Sequence, residues 1–393
     1  MSSPAVRTEF LPFSRPTIES EEIAEVVDSL TSGWITTGPK VARFEGLFRD
    51  YLGVSEAIAV SSATAAWHLV VTALGIGPGD EVIVPALTWP SVANIVELAG
   101  ARAVFADIHP DTLQVDAKEV GRRITARTKA IVPVHFAGAP CDLDAIQAEI
   151  GARPIYIIED AAHALGAAYR GRKVGSEGRI ALFSFHAIKN VTTGEGGLIA
   201  CNDAALAARL RLLRFHGITR DTWSRANGTG TADFEILEPG FKYNMMDLQA
   251  ALGLHQLPKL ERFNARRAEL AARYDYQLAS LPWVHPLAAV PYPCLHAHHL
   301  YIVRLNLAKI GQSRDAFAHA LAIQNIGTGL HFPTIHLKKY YRERYGYTDL
   351  HCPNAVAMGK SILSLPLYPR MTASDIDDVV NAMTRAVPMR GTS

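Results

Sequence analysis

The sequence predicts an α/β fold: a large unit around a mainly parallel seven-stranded sheet, followed by a smaller C-terminal α+β unit. Three observations carry this. Between residues 57 and 202, seven short apolar runs alternate with helix-forming stretches. Several runs are apolar at consecutive positions, as expected of strands covered on both faces. After residue 241 the texture changes to a long segment rich in Leu, Ala and Arg, and then to short strand and helix patterns.

The strand candidates are "AIAVSS" (57–62), "EVIVPA" (81–86), "AVFADI" (103–108), "KAIVPVHF" (129–136), "IYIIED" (155–160), "ALFSFH" (181–186) and "GLIACN" (197–202). Between them lie helix candidates such as "TAAWHLVVTALG", closed by the Gly/Pro turn "GIGPGD". Repeated β–α alternation favours parallel strands joined by covering helices. The helical segment from "GFKYNMMDLQAALGLHQL" to "ARYDYQLASL" bridges to a second unit with strand-like "HHLYIVRLNL" and helices "SRDAFAHALAIQNI" and "TASDIDDVVNAMTRAV". We therefore expect one unit over 1–255, including the N-terminal segment, and another over 256–393. The Gly/Thr/Asp-rich stretch 219–240 reads as a long loop, a class often tied to function.

With 393 residues, 49% hydrophobic and 20% charged, the chain can bury a sizeable core. A formal net charge of +1 gives no electrostatic footprint for nucleic acid. The opening residues lack the apolar core of a signal peptide, and no apolar stretch reaches membrane-span length. Four scattered cysteines suit reduced thiols, so a soluble cytoplasmic protein is expected. No metal site is expected, because "HAHHL" has no second ligand cluster. "AMGKS" lacks the P-loop glycine, with Asn354 in its place, and "TGEGG" lacks dinucleotide-site spacing.

Candidate chemistry gathers at strand ends, where open α/β sheets bind ligands. Asp160 ends "IYIIED", and Lys189 follows "ALFSFH". Ser62, Ala63 and Thr64 join a strand to a helix, and Trp89 follows "EVIVPA". Singly, the acid and the hydroxyls read as helix caps and the Trp as core. Together they supply what pyridoxal phosphate needs. A lysine amine bonds the aldehyde, and a carboxylate keeps the pyridine nitrogen protonated. An aromatic face stacks on the ring, and N–H groups at a helix start bind the phosphate.

The ordered motifs "SSATAAWHL", "GIGPGDEVIVP", "VHFAGAPCDLDAI", "EDAAHALGA" and "SFHAIKN" with "TTGEGG" resemble those of the DegT-type sugar aminotransferases. The resemblance runs from "FLPFSRP" to "SLPLYP". It implies a fold-type I pyridoxal phosphate enzyme that moves an amine from L-glutamate, leaving 2-oxoglutarate, to a nucleotide-linked keto sugar. It assigns Lys189 to the Schiff base and proton transfer, and Asp160 to the ring nitrogen. His163 falls near the phenolic oxygen, Trp89 on the ring, and Ala63, Thr64 and Ser184 at the phosphate. Lys242, in "GFKYN", matches a position reaching the phosphate of a partner subunit, which implies a homodimer. Thr36 and Thr37 of "SGWITTGPK", with His331 and His336 of "GLHFPTIH", are the implied substrate-side groups. Ala63 and Lys242 depart from many members (Gly and Asn there) but agree with the arabinose-type subgroup. Amination at C4 is therefore expected, with another keto sugar or a keto-cyclitol as the alternative acceptor, and a non-catalytic regulatory protein as the alternative outside enzymes. Related dehydratases carry histidine in place of the lysine, and Lys189 argues against them.

Overall fold

The structure, a computed structural model, describes residues 7–219 and 233–388. The strands are β1 (Glu56–Val60), β2 (Glu81–Pro85), β3 (Arg102–Ala106), β4 (Thr128–Ile131), β5 (Tyr156–Asp160), β6 (Ala168–Tyr169), β7 (Arg172–Lys173), β8 (Ile180–Ser184), β9 (Gly197–Cys201), β10 (Val284–Pro286), β11 (Cys294–Leu295), β12 (Tyr301–Leu305) and β13 (Ile362–Leu365). The helices are α1 (Ser20–Thr31), α2 (Pro39–Leu52), α3 (Ala63–Ala73), α4 (Pro90–Leu98), α5 (Ala117–Arg123), α6 (Leu143–Ile150), α7 (Ala204–Arg214), α8 (Asp247–Gln256), α9 (Leu260–Leu278), α10 (Leu307–Ile310), α11 (Arg314–Ile323), α12 (Lys339–Tyr345), α13 (Pro353–Ser361) and α14 (Ala373–Ala386).

Each of the seven expected runs contributes a strand to one sheet, ordered β1-β9-β8-β5-β4-β2-β3. The block from β3 to β8 is parallel, while β9 runs against both β8 and β1. The reversal is local in origin. Residues 185–196 return the chain from β8 by a loop, without the crossover helix that a parallel pair needs. The fourth run is shorter than expected, because Pro133 has no N–H to donate and regular pairing ends at Ile131.

Strand periodicity explains the two layers. Ile58 and Val60 of β1, Leu182 of β8 and Ile199 of β9 pack with α3, α4 and α7 on one face. Ala57, Ala59, Phe183 and Leu198 face the other way, onto Phe44 and Phe48 of α2 and Leu254 of α8. Side chains alternate across a strand, so continuous apolar runs serve both layers at once. Phe44, Phe48 and Phe185 meet edge-on or tilted at centroid distances of 4.9–5.3 Å, within the favoured range for aromatic pairs.

The C-terminal part centres on the antiparallel sheet β10-β12-β13, covered by α9, α11 and α14. Residues 7–11 lie against this layer, while Phe13 packs on the core of the large sheet. The Leu11 amide donates to the Asn325 carbonyl at 2.8 Å, and Arg7 bridges Asp375 and Asp378. The "AMGKS" stretch is the end of α13, not a loop. Among the described residues, no helix is long and apolar enough to cross a membrane.

One long-range cap fixes the entry to the sheet. Gly38 precedes α2 and has no side chain to cap it. Asp247, buried at the start of α8, accepts from the amides of Gly38 (2.8 Å), Val41 (3.0 Å) and Lys40 (3.1 Å). Asp247→Ala leaves three amides unpaired and is expected to destabilise the fold by about 2–3 kcal/mol in urea unfolding. A loss below about 0.5 kcal/mol would contradict this role.

Candidate active site

Four segments meet beyond the carboxyl ends of the parallel strands. β5 delivers Asp160, β8 ends at Ser184 with Lys189 in the following loop, β2 leads to Trp89, and α3 opens at Ala63. They enclose a cavity of about 410 Å³ lined by Ala63, Thr64, Trp89, Asp160, His163, Ser184, Lys189 and His331. Residues spread over nearly 270 positions of sequence therefore share one cleft.

Backbone bonds hold Asp160 from both sides. Its amide donates to the Pro133 carbonyl at 2.9 Å, and its carbonyl accepts from His135 at 3.0 Å. Its carboxylate accepts from the Ala162 amide at 3.0 Å. Burial raises the Asp160 pKa above its ordinary value, and the Ala162 amide, Lys189 and His135 oppose that rise. Lys189 lies half-buried, and among the described residues its ammonium has no hydrogen-bond or ion-pair partner. Burial lowers its pKa to about 8, while Asp160 pulls weakly the other way. His163 is buried and held neutral by burial first, then by Lys189 and His331. Its Nδ1 atom has no partner among the described residues.

The N-terminus of α3 offers an anion site. Ser62 caps the helix by accepting from the Ala65 amide at 3.0 Å, which leaves the amides of Ala63 and Thr64 for a ligand. Gly197 lets β9 pass close beneath, since a Cβ there would sit 2.5 Å from the Ala63 nitrogen. Trp89, 58% exposed, stands at the rim with its ring 6.0 Å from Phe332. An unpaired amine, an acid, a neutral imidazole with an orphaned nitrogen, an aromatic rim and free helix amides fit pyridoxal phosphate.

Four implied residues lie elsewhere. The Lys242 ammonium contacts Asn244 Oδ1 and sits 4.8 Å from the Phe215 ring centroid. Thr37 Oγ1 donates to the Met245 carbonyl and accepts from Asn244, both at 2.5 Å, and Thr36 bonds the Asp247 amide through its carbonyl. This cluster borders a separate hollow of about 370 Å³ lined by Thr37, Asn244 and Phe215. His336 corrects an expectation. It is fully buried beside Phe105 and Tyr347 and does not line the cleft. Its apolar neighbours, invisible in a local motif, draw it into the core.

Thr88, His186, Glu195 and Phe332 are among the further lining residues to which the sequence reading gave no role. His186 is exposed at the mouth, 3.7 Å from Glu195. Phe332 packs nearly parallel to His163 at 5.6 Å. Its adjacency to His331 was the available signal.

The depressed Lys189 pKa has a direct consequence. Its neutral, nucleophilic form becomes the majority above about pH 8 instead of above the ordinary 10.5. Acylation of Lys189 in cofactor-free protein, located by peptide mass spectrometry, is expected to rise with a midpoint near 8. Asp160→Asn removes an attraction for the ammonium and should move that midpoint lower. A midpoint near 10 would contradict the burial argument.

The DegT/DnrJ/EryC1/StrS aminotransferase family model matches residues 16–384. Spr1654 of Streptococcus pneumoniae, described as a sugar aminotransferase and solved in its PMP form, superposes with a TM-score of 0.88 at 34% identity, covering 96% of this chain and 99% of that one. DesV of S. venezuelae, solved with a ketimine intermediate, gives 0.85 at 32% identity, covering 96% and 100%. PseC of Helicobacter pylori, an aminotransferase of pseudoaminic acid biosynthesis, gives 0.88 at 26% identity, covering 97% and 99%. The family match spans most of the chain and includes every element that builds the cleft, so this protein belongs to the DegT/DnrJ/EryC1/StrS aminotransferase family.

Proposed function

We propose that this enzyme moves an amino group from L-glutamate to a nucleotide-linked keto sugar, at C4, using pyridoxal phosphate held at Lys189. The observation that carries the reading is the unpaired Lys189 amine, with a pKa lowered to about 8, sharing a cleft with Asp160. The protein is a pyridoxal phosphate-dependent sugar aminotransferase, and the neighbouring Spr1654 chain is also known in a PLP form at 34% identity. When bound, the cofactor supplies a protonated ring that accepts the electron pair released at the substrate carbon.

The residues act around that ring. Asp160 would face the ring nitrogen, where its carboxylate would favour the protonated ring. Lys189 would hold the cofactor through its amine, and that amine, neutral above about pH 8, would be placed to take up and return a proton at the substrate carbon. His163, which lines the same cleft, would meet the cofactor's phenolic oxygen. The amides of Ala63 and Thr64, with Ser184, hold the phosphate. Trp89 and Phe332 shield one side from water. His331 presents its ring to the cleft while its Nδ1 pairs with Ser364 at 2.9 Å, which suits a substrate hydroxyl or phosphate.

A homodimer completes the reading. Ile23, Val27 and Leu30 form an exposed apolar stripe on α1, the helix packed against α8. The resemblance puts Lys242 at the phosphate of a partner's cleft, and a second copy covering this stripe is the assembly we expect. Among sugars, UDP-4-amino-4-deoxy-L-arabinose is the first to test, because Ala63 and Lys242 agree with the subgroup that handles it.

Purified protein reconstituted with pyridoxal phosphate is titrated with a panel of amino sugar nucleotides while its visible absorption band is followed. Bleaching by the 4-amino-pentose is the expected outcome. Bleaching by glutamate and by none of the panel would discard the sugar. Lys189→Ala should retain non-covalent cofactor but lose turnover roughly 10³-fold or more. Near-normal turnover would discard the assignment of Lys189.

A further inference from the structure

Behind the cleft, a buried polar cluster joins the lysine loop to His163. Asn190, next to Lys189, is buried, and its Nδ2 donates to the Ala297 carbonyl (2.8 Å) and to Asn264 Oδ1 (2.7 Å). Its Oδ1 lies 2.9 Å from His299 Nδ1. A carbonyl can only accept, so the amide nitrogen must face Ala297 and the amide oxygen must face His299. His299 therefore carries its hydrogen on Nδ1. Asn264 is fixed by the same logic, its Nδ2 donating to the Leu165 carbonyl at 3.1 Å.

His299 packs against the next ring in the wall. It is 2% exposed, and its centroid lies 4.4 Å from that of His163. The titratable groups that act on it are His163, Lys189, Arg267 and His331, none of them a carboxylate. Arg267 donates to the His299 carbonyl at 3.2 Å and adds positive charge behind it. Burial and these neighbours hold His299 neutral. Two glycines permit the arrangement. A Cβ on Gly138 would lie 3.0 Å from the His299 nitrogen, and one on Gly166 would collide with the Asn264 amide.

We propose that Asn190 is a positioning residue of the amine-transfer site: by accepting from the Nδ1–H of His299, it fixes the Lys189 loop and His163 relative to each other. Asn190 is not itself a lining residue of the cleft and acts through Lys189 and His299. The assignment rests on Lys189 being the cofactor lysine. It differs from a packing role in one respect: a change in charge at position 190 must reach Lys189 and His299.

The test compares wild type, Asn190→Asp and His299→Phe, each reconstituted with pyridoxal phosphate. The visible band is titrated with pH, and the rate of cofactor capture by cofactor-free protein is measured. Asn190→Asp puts a carboxylate beside the His299 N–H and the lysine loop, which favours protonated forms of both. Its band midpoint should rise by about one pH unit. His299→Phe keeps a ring against His163 but removes the donor. Its capture rate should fall about tenfold with melting changed by only a few degrees. An Asn190→Asp protein that folds and titrates at the wild-type midpoint would overturn the proposal. If that variant does not fold, wild-type capture by His299→Phe overturns it instead, and failure of both to fold would reduce the cluster to stability alone. A wild type without any visible band would remove the underlying cofactor assignment, and this inference with it.

Discussion

Everything in the site depends on keeping an amine and a carboxylate apart from bulk water at the ends of two neighbouring parallel strands. β5 and β8 pair directly, so the ends that deliver Asp160 and the Lys189 loop are adjacent by construction. Desolvation pushes the two groups in opposite directions, raising the acid and lowering the amine, and their mutual attraction offsets part of each shift. A charged pair in the open would do neither. The two covering layers, the Phe44–Phe48–Phe185 cluster and the Asp247 cap on α2 all serve to hold those strand ends where water is scarce.

The family match sets the reaction class, and the chain's own side chains set the division of labour around the cleft. The α3 amides, freed by the Ser62 cap, suit a dianion, while the aromatic rim of Trp89 and Phe332 suits a flat ring. Among the described residues, no carboxylate acts on the polar wall behind His163. It is made of amides and neutral imidazoles with one buried guanidinium beyond them. Such a wall can orient groups in the cleft without competing for the proton that must move inside it.

Much of the fold was legible in the sequence because its strands are uniform and buried. Short apolar runs marked the strands of the large sheet, and the Gly/Pro turn "GIGPGD" marked the end of the helix before β2. What was lost depended on partners far along the chain. Nothing near Gly38 announces that Asp247 caps α2, and Pro133 shortened a strand whose apolar pattern runs on. Lys189, Asp160 and the α3 start could be found because each stands at a strand end with a recognisable neighbour. His336 could not be distinguished from His331 by motif, since only the packing of Phe105 and Tyr347 draws it inward. Asn190 has no signal of its own in the sequence, and its three side-chain contacts become visible only once 264 and 297–299 are folded against it.

The account turns on one covalent attachment. Protein reconstituted with pyridoxal phosphate, reduced with borohydride and digested, would carry the cofactor's mass on a single peptide. The account predicts that peptide to span Ala181 to Cys201, with the added mass on Lys189. Attachment at any other lysine, or no attachment at all, would contradict it.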